Sequence, residues 1–363
     1  MILFNDFVSE YQSIKADIDQ AIQGVLQRGW FILGEEVKQF EDAFAKYLGV
    51  NHCVGVASGT DALTLALMAL EIGAGDEVIT TNLTAYPTIV GIINAGATPV
   101  VVDCHLENGL IDPQAVENQI TRKTKAIIPV HLYGQCCDMD AIQKIAQHKK
   151  IKIVEDCAQA CGAEYQGKKA GSMSEVAAFS FYPTKNLGAY GDAGAIVTHD
   201  EALYKKLISL RNYGQSSRYY HDERGNNSRL DEIQAAILRV KLNHLDEWNQ
   251  KRIAIGNKYN AKLKNVPLLA KQQGKHVYHL YVIRSPKREQ FQAYLKDNDI
   301  QTLIHYPVTV SNQKAYAGGN SKQLGNSEKL ADEVVSLPIH PWLEEHEIDK
   351  IVDVVNEFQV KDR

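Results

Sequence analysis

Residues 52–71 read HCVGVASGTDALTLALMALE, a short apolar run closed by Ser58-Gly59-Thr60 and followed at once by a helical stretch. The same unit recurs outward along the chain. DEVITT (76–81) precedes PTIVGIINA (87–95), and TPVVVD (98–103) and KAIIPV (125–130) lead to MDAIQKIAQH (139–148). IKIVED (151–156), AAFSF (177–181) and GAIVT (194–198) follow. Short apolar runs alternating with helices predict βαβ units on a mostly parallel sheet, and continuous rather than alternating apolar strands predict cover on both faces. In open sheets of this kind a ligand lies outside the carboxyl ends of the strands. The residues there are Ser58-Gly59-Thr60, Asp156 to Gln159, and Ser180 to Lys185.

The pattern changes near residue 245. A charged helix begins around Leu245-Asp246-Glu247-Trp248, a strand-like run spans His276 to Ile283, and amphipathic segments follow. A single core rarely grows past about 250–300 residues, so the 363-residue chain is expected to divide. The expected parts are a large α/β domain over 1–245 and a smaller α+β domain over 246–363, with the N-terminal residues packing on the smaller one. Tyr316-Ala317-Gly318-Gly319-Asn320-Ser321 has loop composition.

Thirty-nine Lys and Arg against 44 Asp and Glu leave a formal charge of -5, which argues against a nucleic-acid binder, since those carry a basic face. No apolar stretch approaches the roughly 20 residues of a membrane span, and the start MILFND lacks a basic leader and a cleavable apolar core. The cytoplasm is the expected compartment. Six cysteines lie within the first 161 residues, without paired CxxC spacing or a histidine cluster, so they read as reduced thiols and no metal is expected.

Taken singly, the strand-end residues are ambiguous. Gly59 and Thr60 would turn amide N–H groups toward an anion at a helix start, but the same residues suit a plainly capped helix. Asp156 ends a buried strand, where an unpaired carboxylate is costly and wants a cation; it also suits a helix cap. In Ser180-Phe181-Tyr182-Pro183-Thr184-Lys185-Asn186-Leu187-Gly188 a lysine follows an aromatic-proline turn and is trailed by Gly188, Gly191 and Gly194. A crowded lysine of lowered pKa can form an imine; a surface lysine stays protonated.

Together, SGTDAL, VEDCAQ, SFYPTKNLGAYGDAGAIVT and GNNSRLDEIQAAIL, in that order, resemble the nucleotide-sugar aminotransferases of the DegT/DnrJ/EryC1/StrS family. The resemblance runs from about residue 20 to about residue 350. It implies a fold-type-I pyridoxal 5'-phosphate (PLP) enzyme, aspartate aminotransferase-like, working as a homodimer whose sites are completed by the partner subunit. Lys185 matches the Schiff-base lysine and Asp156 the acid opposite the pyridine nitrogen. Gln159 matches the residue against the ring, and Gly59, Thr60 and Ser180 match the phosphate contacts. Asn227 matches an asparagine that reaches the neighbouring subunit's phosphate. The family often places an aromatic directly after the position of Thr84; here Ala85 stands there, with Tyr86 next.

The implied substrates are glutamate and a keto sugar carried on a nucleoside diphosphate. Tyr182, Arg211, Tyr219, Arg229, His305 and Tyr306 are candidates to contact the sugar nucleotide. Ile300-Gln301-Thr302-Leu303-Ile304-His305-Tyr306-Pro307 looks like the small-domain loop that faces the sugar in this family, and its form is similar to enzymes that aminate C3 of dTDP-6-deoxy-3-ketohexoses. A UDP-linked 3-keto-hexosamine uronate is the alternative acceptor. A non-catalytic regulator on the same fold is the alternative of another class.

Overall fold

The computed structural model describes residues 1–264, 266–270, 274–316 and 324–358. Seven strands form the main sheet: β1 (His52–Val56), β2 (Glu77–Thr81), β3 (Thr98–Val102), β4 (Thr124–Ile128), β5 (Lys152–Asp156), β6 (Val176–Ser180) and β7 (Gly194–Thr198). Their order is β1-β7-β6-β5-β4-β2-β3. Pairing is parallel from β3 through β2, β4 and β5 to β6, while β7 runs antiparallel to both β6 and β1. The exception has a local cause. Parallel neighbours need a long crossover, usually a helix, and no helix interrupts residues 181–193, so the chain returns alongside β6 in the opposite sense.

Helix α1 (Gly59–Ala69) follows β1 and is buried along nearly its whole length. Its sequence has no polar stripe, as befits a helix enclosed on all sides. Ser58 caps it, its Oγ accepting the Asp61 N–H at 3.1 Å. Helix α2 (Pro87–Asn94) opens on a proline, which loses nothing there because the first-turn N–H has no helical acceptor. Val54, Leu65, Ile79, Ile127, Val154, Phe179 and Ile196 belong to one continuous core around the sheet.

Helix α3 (Glu232–Leu242) leads to α4 (Leu245–Lys262). A second hydrophobic cluster joins Ile255 and Tyr259 of α4 to the strand pair β8 (Tyr281–Arg284) and β9 (Val334–Leu337) and to the helix Glu345–Glu357. Ile2 belongs to this cluster and exchanges backbone hydrogen bonds with Asp299 and Gln301 at 2.7 and 3.1 Å.

The strand-like run from His276 is a strand only from Tyr281. Its first half docks instead on the turn Leu132–Gly134, with the Val277 N–H on the Gly134 carbonyl at 2.8 Å and the Leu280 N–H on the Tyr133 carbonyl at 3.2 Å. Apolar composition suits a buried connection as well as a strand. The loop expected at residues 316–321 falls mostly outside the described residues.

Candidate active site

Three strand ends meet because of sheet register. Gly194 lies opposite Val56 on one side and Ser180 on the other, and Asp156 lies beside Ala178. The junction is tight: a Cβ at Gly59 would stand 2.6 Å from the Ser180 Cβ, and one at Gly194 would stand 2.4 Å from the Ser58 carbonyl carbon. Glycine is therefore required at both positions, and the first turn of α1 is pressed against Ser180. This places the Gly59 and Thr60 amides, the helix N-terminus and Ser180 together as a cradle suited to a phosphate.

Beyond Ser180 the chain folds over itself. The Lys185 N–H bonds the Tyr182 carbonyl at 2.9 Å and the Ala189 N–H bonds that of Phe181 at 2.8 Å. A Cβ at Gly188 would collide with the Pro183 carbonyl oxygen at 2.3 Å. Asn186 anchors the loop, its Nδ2 donating to Asn249 Oδ1 at 2.7 Å and to the Val277 carbonyl at 3.1 Å. Lys185 is thus held at the cleft. Burial pushes its pKa down to about 8, with the negative charge of Asp156 opposing that shift.

Asp156 is buried, and burial raises its pKa although Oδ1 accepts the Ala158 N–H at 3.1 Å, Oδ2 accepts the Thr88 hydroxyl at 2.9 Å and Lys185 attracts it. Two hydrogen bonds do not replace the hydration of a carboxylate. A protonated ring nitrogen would complete it, and the cradle would take the phosphate of the same ligand. The residues present fit PLP, with Lys185 placed where it would be the covalent anchor.

Gln159 sits between fixed partners: its Oε1 accepts the Tyr133 N–H at 2.8 Å and its Nε2 donates to the Tyr306 hydroxyl at 2.9 Å. The Tyr133 hydroxyl donates to the His305 carbonyl. His305 Nδ1 lies 2.8 Å from Ser336 Oγ, and burial, reinforced by Lys185, lowers its pKa to about 4, so the ring is neutral. His305 and Tyr306 therefore join the Lys185 cleft through Gln159.

The other expected sugar contacts are scattered. Tyr182 is exposed on the lysine loop, and Tyr219 is exposed at the tip of the hairpin formed by Gln215–Ser217 and Tyr220–His221. Arg229 donates to Asn212 Oδ1 at 3.0 Å and stands over the Tyr213 ring. Asn227 is exposed, while its neighbour Ser228 is buried and donates to Asp61 Oδ2 at 2.7 Å. Arg211 corrects the expectation. Its guanidinium is buried against Glu41 and the Gly55 carbonyl, so it serves as an internal ion pair behind β1 and offers nothing to a sugar nucleotide. Local charge count cannot distinguish a buried cation from one at the mouth.

Tyr86 does not supply the missing aromatic. Its ring packs with Ile89, Val101 and Val310, which leaves the small Ala85 directly after Thr84. Sequence reasoning also missed Thr88, whose hydroxyl lies 3.0 Å from that of Thr84. The only signal was two threonines four apart across a helix start. His131 and Glu155 were missed too. Cys137 N–H donates to His131 Nδ1 at 3.1 Å, so the imidazole proton is on Nε2, 3.0 Å from Glu155. Glu155, His131 and Cys157 lie close enough to suggest a metal trio. Glu155, however, also accepts the Gly171 and Met173 N–H groups and the Ser174 hydroxyl, so its oxygens are saturated as they stand. All six cysteines are buried free thiols, and no helix among the described residues is long and apolar enough to cross a membrane.

Known proteins share this arrangement of chain. The family model described as the DegT/DnrJ/EryC1/StrS aminotransferase family matches residues 12–356. A dTDP-3-amino-3,6-dideoxy-alpha-D-galactopyranose transaminase of Aneurinibacillus thermoaerophilus is 48% identical, the match covering 99% of each chain. A UDP-2-acetamido-2-deoxy-3-oxo-D-glucuronate aminotransferase of Pseudomonas aeruginosa is 44% identical, covering 95% of this chain and 96% of its own. The crystal structure of S. venezuelae DesV in complex with a ketimine intermediate superposes with a TM-score of 0.96 at 44% identity, covering 98% of both chains. With a match across nearly its whole length and the same mostly parallel α/β architecture, the chain belongs to the DegT/DnrJ/EryC1/StrS aminotransferase family.

Proposed function

We propose that this aminotransferase uses PLP to move the amino group of glutamate onto the C3 keto group of a dTDP-linked 6-deoxy-3-ketohexose, in amino-deoxysugar biosynthesis. The observation that carries the reading is the pairing of Lys185, its pKa near 8, with the under-compensated carboxylate of Asp156. The relative from A. thermoaerophilus, named for a dTDP-3-amino-dideoxy sugar, supports the choice of acceptor.

When bound, PLP supplies an electron sink for the carbon that loses a proton. The chain's own groups do the rest. Asp156 would hold a proton on the ring nitrogen, and its burial would make that charge pair strong. Lys185, partly neutral near pH 8, would anchor the cofactor through its Nζ and would be the base positioned there to hold and move the proton. Gly59, Thr60 and Ser180 bind the phosphate. Gln159, clamped by Tyr133 and Tyr306, lies against the ring. His305, Tyr306, Tyr182, Tyr219 and Arg229 form the sugar side.

Trp30 and Phe31 are 64% and 48% exposed, and Tyr213, Tyr219 and Tyr220 are exposed as well. Ile32 pairs with Asp231, so this apolar surface adjoins the segment carrying Asn227 and Arg229. Exposed aromatics in such company suit an interface. A second copy would cover them and bring Asn227 to the neighbouring phosphate. A cytoplasmic homodimer, with a large unit over 1–245 and a small one over 246–363, is the form proposed. A regulator without turnover would have no use for a lysine of lowered pKa beside an under-compensated acid.

Two measurements test this. Steady-state kinetics with glutamate and dTDP-6-deoxy-3-ketohexose should be ping-pong, and the UDP-linked 3-keto uronate should be the poorer acceptor; the reverse preference overturns the sugar assignment in favour of the activity named for the P. aeruginosa relative. Mixing inactive Lys185→Ala with a weakened Asn227→Asp should restore activity if sites are shared between subunits.

A further inference from the structure

His279 has no role in the chemistry above, yet the fold goes to some length to hold it. Its segment is tied on one side to the turn that fixes Gln159, through the Val277 and Leu280 backbone bonds to Gly134 and Tyr133. On the other side Asn186, next to Lys185, donates to the Val277 carbonyl at 3.1 Å. The approach is close: Gly134 has φ +105°, and a Cβ there would stand 2.7 Å from the His279 backbone nitrogen. The backbone that carries His279 is therefore fixed between the neighbours of Gln159 and of Lys185.

The ring is 6% exposed, and its Nδ1 is shut off from solvent without any hydrogen-bond partner. A buried nitrogen with no acceptor nearby holds a lone pair more cheaply than an unsatisfied N–H, so the proton belongs on Nε2. Nε2 is not among the enclosed atoms lacking partners and is the nitrogen a ligand can reach. Burial holds the imidazole neutral, and the charges of Lys185 and Arg252 work in the same direction. No acid is among them. Arg252 is buried, and its Nη1 donates to the carbonyls of Tyr278 and Ile339, at 3.3 and 2.6 Å. Lys185 and Arg252 are themselves acted on by the carboxylates of Asp156 and Glu10, but at the ring the charges that register are the two cations, and a neutral N–H donor so placed suits an anionic oxygen.

We propose that His279 binds the α-carboxylate of the amino-group donor, donating from Nε2 with Arg252 supplying long-range attraction. The proposal rests on the aminotransferase reading. The α-carboxylate is attached to the carbon whose proton Lys185 moves, so it must lie near Lys185, whereas the cradle at Gly59 and Ser180 serves a different anion. His305 is not equivalent, because its Nδ1 is already engaged by Ser336.

The test compares glutamate with isoglutamine, in which an amide replaces the α-carboxylate, in single-turnover donor half-reactions of the holoenzyme. His279→Leu should weaken glutamate about tenfold or more while changing isoglutamine, and the rate of the keto-sugar half-reaction, by no more than about twofold. His279→Gln, which keeps an N–H donor, should recover part of the glutamate affinity, and it serves as the probe should the leucine variant prove unstable in thermal unfolding. Equal weakening of glutamate and isoglutamine, parallel slowing of both half-reactions, or an unchanged profile each overturns the assignment of His279. Wild-type holoenzyme that accepts no amino group from glutamate, yet aminates the sugar from another amino acid, sinks the choice of donor alone; His279→Leu must then weaken that amino acid against its own α-amide, and equal weakening overturns the His279 assignment.

Discussion

Glu155 and Asp156 are consecutive residues on β5, and the two faces of that strand treat them in opposite ways. Glu155 accepts from His131, two backbone N–H groups and Ser174, and these bonds outweigh burial to hold its pKa below the usual carboxylate range. Asp156 has Thr88 and Ala158 alone, and burial raises its pKa. The saturated acid braces the fold. The unsaturated one is held ready for a ligand charge, with Lys185 on the same side. Complete hydrogen bonding marks structure here, and incomplete bonding marks function, which fits the cost of leaving a buried charge uncompensated without a purpose.

Substitutions on the Asp156 face should damage chemistry more than stability. Lys185→Ala should lower turnover by at least about ten-thousand-fold, since it would remove both the proposed anchor and the proposed proton carrier, and should abolish the cofactor's protein-linked absorbance. Substantial turnover with that band retained would break the contrast. Asp156→Asn should cost about a hundred- to a thousand-fold in turnover, while thermal unfolding shows the protein no less stable, because an unsaturated buried charge has been removed.

The Glu155 face should respond the other way. Glu155→Gln should destabilise by about 3 kcal/mol in denaturant titration, having stranded donors in the core, with activity of the folded fraction retained. Because the folded pKa of Glu155 is depressed, its contribution is present above the unfolded value and lost as pH falls through the folded one. The variant should therefore lose stability less steeply in acid than the wild type. Equal acid sensitivity would show that Glu155 is not the brace inferred.

The smallest effect concerns Lys185 itself, freed of bound carbonyl. With a pKa near 8 in the fold and about 10.4 unfolded, the unfolded chain binds the extra proton between those values, so stability should rise by about 2 kcal/mol from pH 8 to pH 10.5. Lys185→Met should remove that rise, as read from denaturant midpoints at each pH. A slope that survives the substitution belongs to another group.

Apolar runs alternating with helices were enough to predict the parallel sheet, because burial on both faces leaves a compositional trace in every strand. Ordered motifs were enough to nominate Lys185, Asp156, Gln159, Gly59, Thr60 and Ser180, all of which stand within a few residues of a strand end. Arg211 was misread because its partner, Glu41, is 170 positions away in sequence, and a charge count over a short window cannot see an ion pair formed across the fold. Tyr86 was left open for the same kind of reason: which way its ring turns depends on Val101 and Val310.

What the sequence by itself determined is the order of strands and helices and the residue types at the strand ends, since both follow from local pattern and from motifs that short contiguous segments carry. The tertiary structure alone decided which of two adjacent acids is saturated, which arginine is buried, and that His279 Nδ1 is enclosed without a partner among the described residues. Those are matters of long-range contact, and a side chain's charge and hydrogen bonding are set by neighbours that only folding brings within reach.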